Sequence, residues 1–249
     1  MAHIELDDIG IEFPIYHGST RSLKNRLIGR MSLGGRIGED SDNRLCVKAL
    51  DGVTLSFGHG DRVALLGANG AGKSTLLRVL AGVYEPIRGR MLTEGRVSSM
   101  FDLLLGLDPE STGYENILLR GLFLGMTRAE IRARREDIAA FTELGNYLAM
   151  PLRTYSSGMI LRLAFAVSTH MNAEILLMDE WIGAGDAAFT EKAQRRLLDL
   201  VRGAAILVLA SHSEEIIRRT CNKAVLLKQG AVAEVGAVED VLQAYRSAN

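Results

Sequence analysis

The chain has 249 residues, 47% of them apolar and 24% charged, which is the composition of a globular protein with room for one large domain or two small ones. Its formal net charge of −1 argues against a broad basic surface for duplex nucleic acid, and we predict no nucleic-acid partner. Cys46 and Cys221 lie far apart without metal-ligand spacing, which indicates reduced, packed thiols in a cytoplasmic protein.

The N-terminal third predicts β-strands. "HIELDDIGIEF" alternates polar and apolar residues, which is typical of a strand and not of a signal peptide. Further strands are predicted at "VTLSF", "RVALLG", "GRMLTEG" and "RVSSMF". No apolar stretch approaches the roughly 20 residues that span a bilayer. If the protein works at a membrane, we expect another chain to span it.

Residues 14–46 interrupt these strands with a glycine-rich and basic insertion. Leu23, Leu27 and Met31 recur at every fourth position, and basic residues surround them, namely Arg21, Lys24, Arg26 and Arg30. A short amphipathic helix over 22–31 at the membrane surface and an ordinary solvated loop both fit this pattern. The two alternatives stay open at this point.

The middle third, from about 112 to 171, predicts helices. In "TRAEIRARREDIAAFTEL", Thr127 and Glu130 are predicted to form a capping box, and Ile131, Ile138 and Leu144 give a partial apolar stripe.

From 172 onward, predicted strands alternate with predicted helices. The order is strand "EILLMDE", a helix over about 187–202, strand "AILVLAS", helix "SEEIIRRTC", strands "AVLLKQG" and "AVAEVG", and a last helix. Such alternation predicts an α/β fold with a mostly parallel sheet, joined to an antiparallel element near the N-terminus.

The segment "GANGAGKST" fits the phosphate-binding pattern G-x-x-x-x-G-K-[ST], with a predicted strand before it and a predicted helix after it. Its glycines let several N–H groups point at one phosphate, and the helix turns its positive end toward the same anion. Lys73 is predicted to contact the β and γ phosphates, and Ser74 to bind Mg²⁺. The predicted nucleotide-binding residues here are Gly67, Asn69, Gly70, Ala71, Gly72, Lys73, Ser74 and Thr75.

The strand "ILLMD" supplies the carboxylate that such a loop needs for its metal. Asp179 is predicted to hold Mg²⁺, mostly through water, and Glu180 to orient or deprotonate the attacking water. The second carboxylate therefore predicts nucleotide hydrolysis.

A second anion site is predicted at "YSSGMILRLAFAV", where Ser156, Ser157 and Gly158 open a helix. Two phosphate sites for one nucleotide suggest that each nucleotide is shared between two subunits. This arrangement resembles the ATP-binding-cassette (ABC) ATPases, in which the "LSGGQ" loop of one subunit closes over the γ-phosphate held by the other. The resemblance covers essentially the whole chain and implies a head-to-tail homodimer with two ATP, each with Mg²⁺.

The resemblance also implies the domain organisation of a P-loop ATPase. It predicts a RecA-like core with an N-terminal antiparallel β subdomain over about 1–96 and 172–249, and an α-helical subdomain over about 97–171. The insertion 14–46 is added to this plan.

Further residue roles follow from the resemblance. Asp186 in "WIGAGD" is similar to the D-loop aspartate that contacts the partner subunit, and His212 in "ASHSEE" is similar to the switch histidine that contacts the γ-phosphate. An aromatic residue near the N-terminus stacks on adenine in this family, and Tyr16 is the first candidate, with Phe13 second.

The sequence departs from the family pattern at two places. In the signature, Tyr155 replaces Leu, Ser157 replaces the first Gly and Met159 replaces Gln. At the position of the Q-loop glutamine the best match is Asp102, a shorter side chain that is predicted to reach Mg²⁺ or the water.

These departures, together with "PESTGYENI" and the long insertion, resemble the ATP-binding subunits of bacterial polysaccharide exporters. That resemblance implies two copies of a membrane permease as partners, a lipid-linked polysaccharide as the indirect substrate, and a location at the cytoplasmic face of the inner membrane. The permease is expected to dock near 103–122. The alternatives are a subunit of an ABC importer, a soluble ABC ATPase without a transport function, and a P-loop kinase.

Overall fold

The structure, a computed structural model, describes residues 1–15, 36–39, 45–180 and 187–247, and the chain divides into two compact units. Unit 1 comprises Met1–Gly95, Leu177–Glu180 and Ala205–Asn249, and unit 2 comprises Arg96–Leu176 and Trp181–Ala204. Tyr16, Asp186 and the proposed insertion helix over 22–31 lie outside the described residues.

Unit 1 contains an antiparallel sheet built from its N-terminal segments. Its strands are β1 (His3–Pro14), β2 (Arg36–Glu39), β3 (Leu45–Gly58) and β5 (Arg88–Glu94), in the order β2-β3-β1-β5. Alternation along β1 buries Ile4 and Leu6, while β1 pairs in antiparallel register with both β3 and β5. The predicted strand "VTLSF" is the C-terminal part of the longer β3.

A second sheet of unit 1 carries the phosphate-binding segment. Its strands are β4 (Arg62–Leu66), β7 (Ile175–Asp179), β8 (Ile206–Ala210), β9 (Lys223–Lys228) and β10 (Ala231–Ala237), in the order β10-β9-β4-β8-β7. β4 is parallel to β8 and β9, and β10 is antiparallel to β9. Because both faces of such central strands are covered, β8 is buried throughout and reads as an unbroken apolar run.

α-Helices connect the strands where the sequence predicts them. They are α1 (Lys73–Leu80), α2 (Gly113–Phe123), α3 (Arg128–Thr142), α4 (Ser157–Thr169), α5 (Ala187–Gly203), α6 (Glu214–Thr220) and α7 (Val238–Ser247). In unit 1, α7 packs Val238, Val241 and Leu242 in one cluster with Ala64 and Leu226 of the sheet. None of the helices in the described ranges is long and apolar enough to cross a membrane.

Unit 2 is largely helical. Its core joins Ile117 of α2, Ile131 and Ile138 of α3, and Leu163 and Val167 of α4. Two short 3-10 helices, Gly145–Ala149 and Leu152–Thr154, lead from α3 to α4. The predicted strand "RVSSMF" is shorter than expected, since β6 covers only Val97–Ser99 and lies beside the start of β7.

Capping boxes fix the starts of α2 and α3. The Oγ1 atom of Thr127 accepts the N–H of Glu130 at 3.2 Å, and the Glu130 carboxylate accepts the N–H of Thr127 at 2.7 Å, as predicted. Thr112 and Glu115 form the same box at α2. This second box was not predicted, although "TGYE" fits its pattern.

The predicted extent of the α3 helix is wrong at its C-terminal end. The helix ends at Thr142 because Glu143 adopts a left-handed conformation with φ 58°. Leu144 therefore lies beyond the helix, yet it remains buried in the core of unit 2.

Candidate functional site

The loop between β4 and α1 has a backbone that only glycine tolerates at several positions. Gly67, Gly70 and Gly72 have φ values of 145°, 78° and 107°. A Cβ atom on Gly67 would lie 2.4 Å from the Leu227 carbonyl oxygen and 2.9 Å from the Cβ of Ala71. Close packing against β9 therefore requires glycine at the first position of the motif.

The start of α1 is left open to an anion. Gly72 is the N-cap residue, and no side chain caps the helix. The first N–H groups of α1 and the positive end of its dipole consequently face the loop. Asn69, Ser74 and Thr75 lie in the same loop and first turn, where their backbone N–H groups can contribute to the same phosphate site. Ala71 lies in this loop too, but its N–H donates to the Ala68 carbonyl oxygen at 3.0 Å.

Lys73 places its ammonium over this loop. Its Nζ atom donates hydrogen bonds to the carbonyl oxygens of Gly67, at 2.6 Å, and Ala68, at 3.2 Å. Burial lowers the pKa of Lys73, while the negative charges of Asp179 and Glu180 oppose that change. Both carboxylates at the end of β7 thus act electrostatically on the ammonium in the phosphate-binding loop.

The ends of β7 and β8 bring Glu180 and His212 together. The N–H of Glu180 donates to the Ala210 carbonyl oxygen at 2.8 Å, and Oε1 of Glu180 lies 3.8 Å from Nε2 of His212. That separation allows a charge interaction but is too long for a hydrogen bond. Both side chains are about half exposed, so a substrate can reach them.

Glu180 has an unusual backbone conformation. Its φ is 70°, in the left-handed region that residues other than glycine rarely adopt. Such a conformation costs about 1–3 kcal/mol and is concentrated at functional sites. In unit 1, Lys73, Asp179, Glu180 and His212 thus lie around the loop between β4 and α1, which we call the glycine loop.

Ser156, Ser157 and Gly158 form the start of α4 in unit 2. The Oγ atom of Ser156 accepts the N–H of Met159 at 3.3 Å, so Ser156 is the N-cap residue. Within the described part of the chain, the N–H groups of Ser157 and Gly158 bind no acceptor. Ser156 and Ser157 are exposed, and the helix start is open to an anion.

The structure explains one departure from the family signature. Tyr155, in the place of Leu, is buried in the core of unit 2, and its hydroxyl donates to the Tyr147 carbonyl oxygen at 2.6 Å. The larger side chain is accommodated because Gly113 leaves space for it: a Cβ there would lie 2.4 Å from the Tyr155 hydroxyl. The replacement serves packing behind the signature turn.

The remaining predicted residues are only partly described. Asp102 lies in unit 2, is exposed, and has φ 53°; its role toward Mg²⁺ stays a prediction. Phe13 is partly exposed and meets the ring of Tyr84 edge to face, with 5.4 Å between the ring centroids. Tyr84 was not among the predicted site residues, although it follows α1 closely in the chain. Tyr16 and Asp186 lie outside the described residues.

Replacing Gly67 by alanine tests the packing of the loop. The added Cβ would overlap the Leu227 carbonyl oxygen, and overpacking of this kind costs about 1–3 kcal/mol of folding free energy. We expect a lowered thermal unfolding midpoint and weakened ATP binding. Gly60→Ala is the matched control, since Gly60 also has a positive φ but nothing within 4 Å of the new Cβ. Equal effects of the two substitutions would contradict the packing argument.

Comparison with known proteins gives consistent relatives. The family model described as ABC transporter matches residues 50–183. The O-antigen export system ATP-binding protein RfbE of Yersinia enterocolitica is 45% identical over 94% of this chain and 98% of its own length. An O-antigen export system ATP-binding protein RfbB of Klebsiella pneumoniae is 35% identical over 98% of both chains. The teichoic acids export ATP-binding protein TagH of Lactococcus lactis is 34% identical over 84% of this chain and 45% of its own length.

Solved structures share the fold. An ATP binding subunit of an ABC transporter superposes with a TM-score of 0.68, at 21% identity, over 98% of this chain and 93% of its own. A dimeric ATP-binding cassette in a post-hydrolysis state, bound to ADP and Pi, gives a TM-score of 0.64, also at 21% identity, over 94% and 98% of the two chains. These likenesses support the predicted α/β cassette fold with its phosphate-binding loop.

Proposed function

The chain belongs to the ABC transporter family, and from this premise we propose that it powers the export of a lipid-linked polysaccharide across the inner membrane through a separate permease. It is an ATPase of the cassette type and binds nucleotide. The export part of the proposal rests on the 45% identity to the Yersinia protein over nearly the full length of both chains. In this proposal the chain lies at the cytoplasmic face of the membrane, bound to its permease.

The glycine loop fits the triphosphate of ATP. Its N–H groups, the uncapped start of α1 and the ammonium of Lys73 supply positive charge on one side of the loop. Among the described residues no three His, Cys, Asp or Glu side chains cluster as a metal site. Ser74 and Asp179 are instead proposed to hold Mg²⁺ together with phosphate oxygens, which is how Mg²⁺ commonly binds. When bound, this ion would neutralise charge on the phosphates.

Hydrolysis is assigned to Glu180 and His212. Glu180 accepts a proton from the water that attacks the γ-phosphorus, while the bond between that phosphorus and the bridging oxygen breaks and ADP leaves. His212 lies beside Glu180 and donates a hydrogen bond to a γ-phosphate oxygen. Lys73 stabilises the negative charge on the β and γ phosphates.

A second copy of the chain completes each ATP site. The start of α4 offers the N–H groups of Ser157 and Gly158, but these lie in unit 2 and have no acceptor in the described chain. We assign them, with Ser156, to the γ-phosphate bound by the other copy, and Asp186 to a contact with that copy. A homodimer with two shared ATP sites follows, joined to two copies of the permease.

The permease is proposed to dock on exposed apolar residues of unit 2. We call this surface the apolar platform and define it as Leu104, Leu105, Leu119, Leu122 and Phe123, all of them exposed. Leu104 is 58% exposed and Phe123 57%. Large apolar side chains that face water together indicate a surface covered by another protein.

Replacing Leu104 by aspartate tests this docking surface. The change puts a charge on the apolar platform without disturbing a buried position, so ATP hydrolysis by the isolated subunit should stay within about twofold. The stimulation of hydrolysis by the permease should fall by about tenfold. Val235→Asp, at a similarly exposed apolar position in unit 1, is the control. A fully stimulated Leu104→Asp complex would argue against docking on the platform.

Export can be separated from import and from a function without transport. Cells that carry a Glu180→Gln chain are expected to lack the surface polysaccharide and to accumulate its lipid-linked form on the cytoplasmic side. An intact polysaccharide together with loss of uptake of a nutrient would favour an importer. Failure to co-purify with any membrane protein would favour a soluble ATPase.

A further inference from the structure

Arg120 on α2 is an arginine inside the core of unit 2. It is 1% exposed, and no carboxylate within the described chain forms an ion pair with it. Burial lowers the pKa of Arg120 to about 10, so it remains charged at neutral pH. A buried charge without a counter-ion is costly, and an apolar side chain of similar volume is often at least as stable. Stability alone therefore does not account for this residue.

The guanidinium joins two separate elements. On one side, Nε and Nη2 donate to the Ser168 Oγ of α4 at 3.1 and 2.8 Å, and Nε also donates to the Ala164 carbonyl oxygen at 3.3 Å. On the other side, Nη1 donates to the carbonyl oxygen of Leu105. The planar fork of arginine can span both sides at once, whereas a single ammonium cannot.

The segment that includes Leu105 is held firmly against α2. Gly106, with φ 79°, lies so close to Phe123 that a Cβ there would be 2.6 Å from the ring. One turn before Arg120, the buried Asn116 binds the N–H of Asp108 at 2.7 Å and its carbonyl oxygen at 2.9 Å. Asn116, Arg120 and Phe123 thus form one face of α2 that fixes residues 105–108.

We propose that Arg120 is a positioning residue that links the apolar platform to α4, the helix whose first turn contains Ser157 and Gly158. The proposal rests on the function assigned above, because it describes how permease contact reaches the ATP site. Displacement of Leu104 and Leu105 by the permease pulls on the Leu105 carbonyl oxygen. The guanidinium passes this displacement to Ser168 and Ala164, and α4 moves as a rigid body.

The neighbouring hydrogen bonds make this link well defined. The Ser168 hydroxyl donates to the Ala164 carbonyl oxygen at 2.8 Å, which leaves its lone pairs for the two guanidinium donors. Ser168 is fully buried, so water does not compete for these bonds. A change at one end of the link therefore alters the geometry at the other end.

The variant that tests the link is Arg120→Met, which fills a similar volume without hydrogen bonds. Arg134→Met is the matched control, because Arg134 of α3 binds the His170 carbonyl oxygen and the Asn172 side chain near the C-terminal end of α4 instead of the platform. For each folded variant, the ratio of ATP hydrolysis with and without the permease is measured. Without the permease, Arg120→Met should hydrolyse ATP at a rate within about twofold of the wild-type rate. The permease should stimulate Arg120→Met about tenfold less than it stimulates the wild type. Arg134→Met should keep the wild-type stimulation.

Arg120→Lys and Ser168→Ala refine the test. Lysine keeps the charge but can bind only one of the two sides, so Arg120→Lys should also lose stimulation by the permease. A purely electrostatic or packing role of Arg120 would not predict this loss. Ser168→Ala should lose less of the stimulation, since the hydrogen bond from the Arg120 guanidinium to the Ala164 carbonyl oxygen remains. A folded Arg120→Met chain with wild-type stimulation would overturn the proposal.

A wild-type chain that no permease stimulates would instead refute the proposed function. In that case, hydrogen exchange on the free chain decides whether the link exists. The N–H groups of Leu105 and Ile160, which donate to the Asp102 and Ser156 carbonyl oxygens, report on its two ends. Faster exchange at both in Arg120→Met would support the link, and unchanged exchange would refute it.

Discussion

Glu180→Gln is expected to lower ATP hydrolysis by about 10³-fold while ATP binding is retained. Glutamine keeps the size and shape of the side chain but cannot accept the proton of the attacking water. The glycine loop and Lys73, which hold the phosphates in the proposed site, are unchanged. Because ATP would stay bound and uncleaved, the variant should also collect as a stable dimer when ATP and Mg²⁺ are present.

Steady-state hydrolysis, equilibrium binding of ATP and size-exclusion chromatography measure these three properties. Glu215→Gln is a suitable control, since Glu215 is exposed on α6 in the same unit and lies 3.8 Å from Arg219. The control should behave like the wild type in all three measurements. If Glu180→Gln hydrolysed ATP at the normal rate, the role assigned to Glu180 would be wrong.

Gly158→Asp is expected to have the second-largest effect, a loss of hydrolysis of about 10²-fold or more. In the proposed dimer, the new carboxylate would repel the γ-phosphate bound by the other copy. The free chain should tolerate the substitution, because the nearest atom to a Cβ on Gly158 is the Ser156 Oγ at 3.9 Å. An acidic side chain in the first turn of a helix is even favourable.

Binding of ATP by the isolated Gly158→Asp subunit should therefore remain within about twofold of the wild type, and its thermal stability should not fall. Gly158→Asn, of the same shape but neutral, should lose much less activity and so separates charge from size. Weak ATP binding by the isolated aspartate variant would place Gly158 in the site of its own chain and contradict the shared arrangement.

Much of the fold could be predicted because its patterns are local. Alternation of polar and apolar residues along β1 corresponds to a strand with one buried face, and the unbroken apolar run of β8 corresponds to a strand with two buried faces. The phosphate-binding loop was recognisable because its glycines are required by positive φ values and by close packing against Leu227. The capping box of α3 could be predicted because Thr127 and Glu130 are three residues apart.

Other features depend on contacts between distant parts of the chain. The link from Arg120 to Ser168 joins residues 48 positions apart, and the only local signal was an arginine within the apolar run "ILLRGLF". Glu180, which has a left-handed conformation, donates its N–H to the carbonyl oxygen of Ala210 on the neighbouring strand, a contact that no local pattern predicts. From the sequence, Tyr155 is a departure from the family signature, and only its packing against Gly113 shows the structural role of the replacement.

The central claim is that the glycine loop of one copy and the start of α4 of the other form each ATP site. Mixing Lys73→Ala subunits with Gly158→Asp subunits tests it, because neither variant alone has an intact site. In a mixed dimer, the intact loop of one copy meets the intact signature of the other, and an equal mixture should regain about a quarter of the wild-type rate of ATP hydrolysis. A mixture as inactive as either variant alone would contradict the shared site.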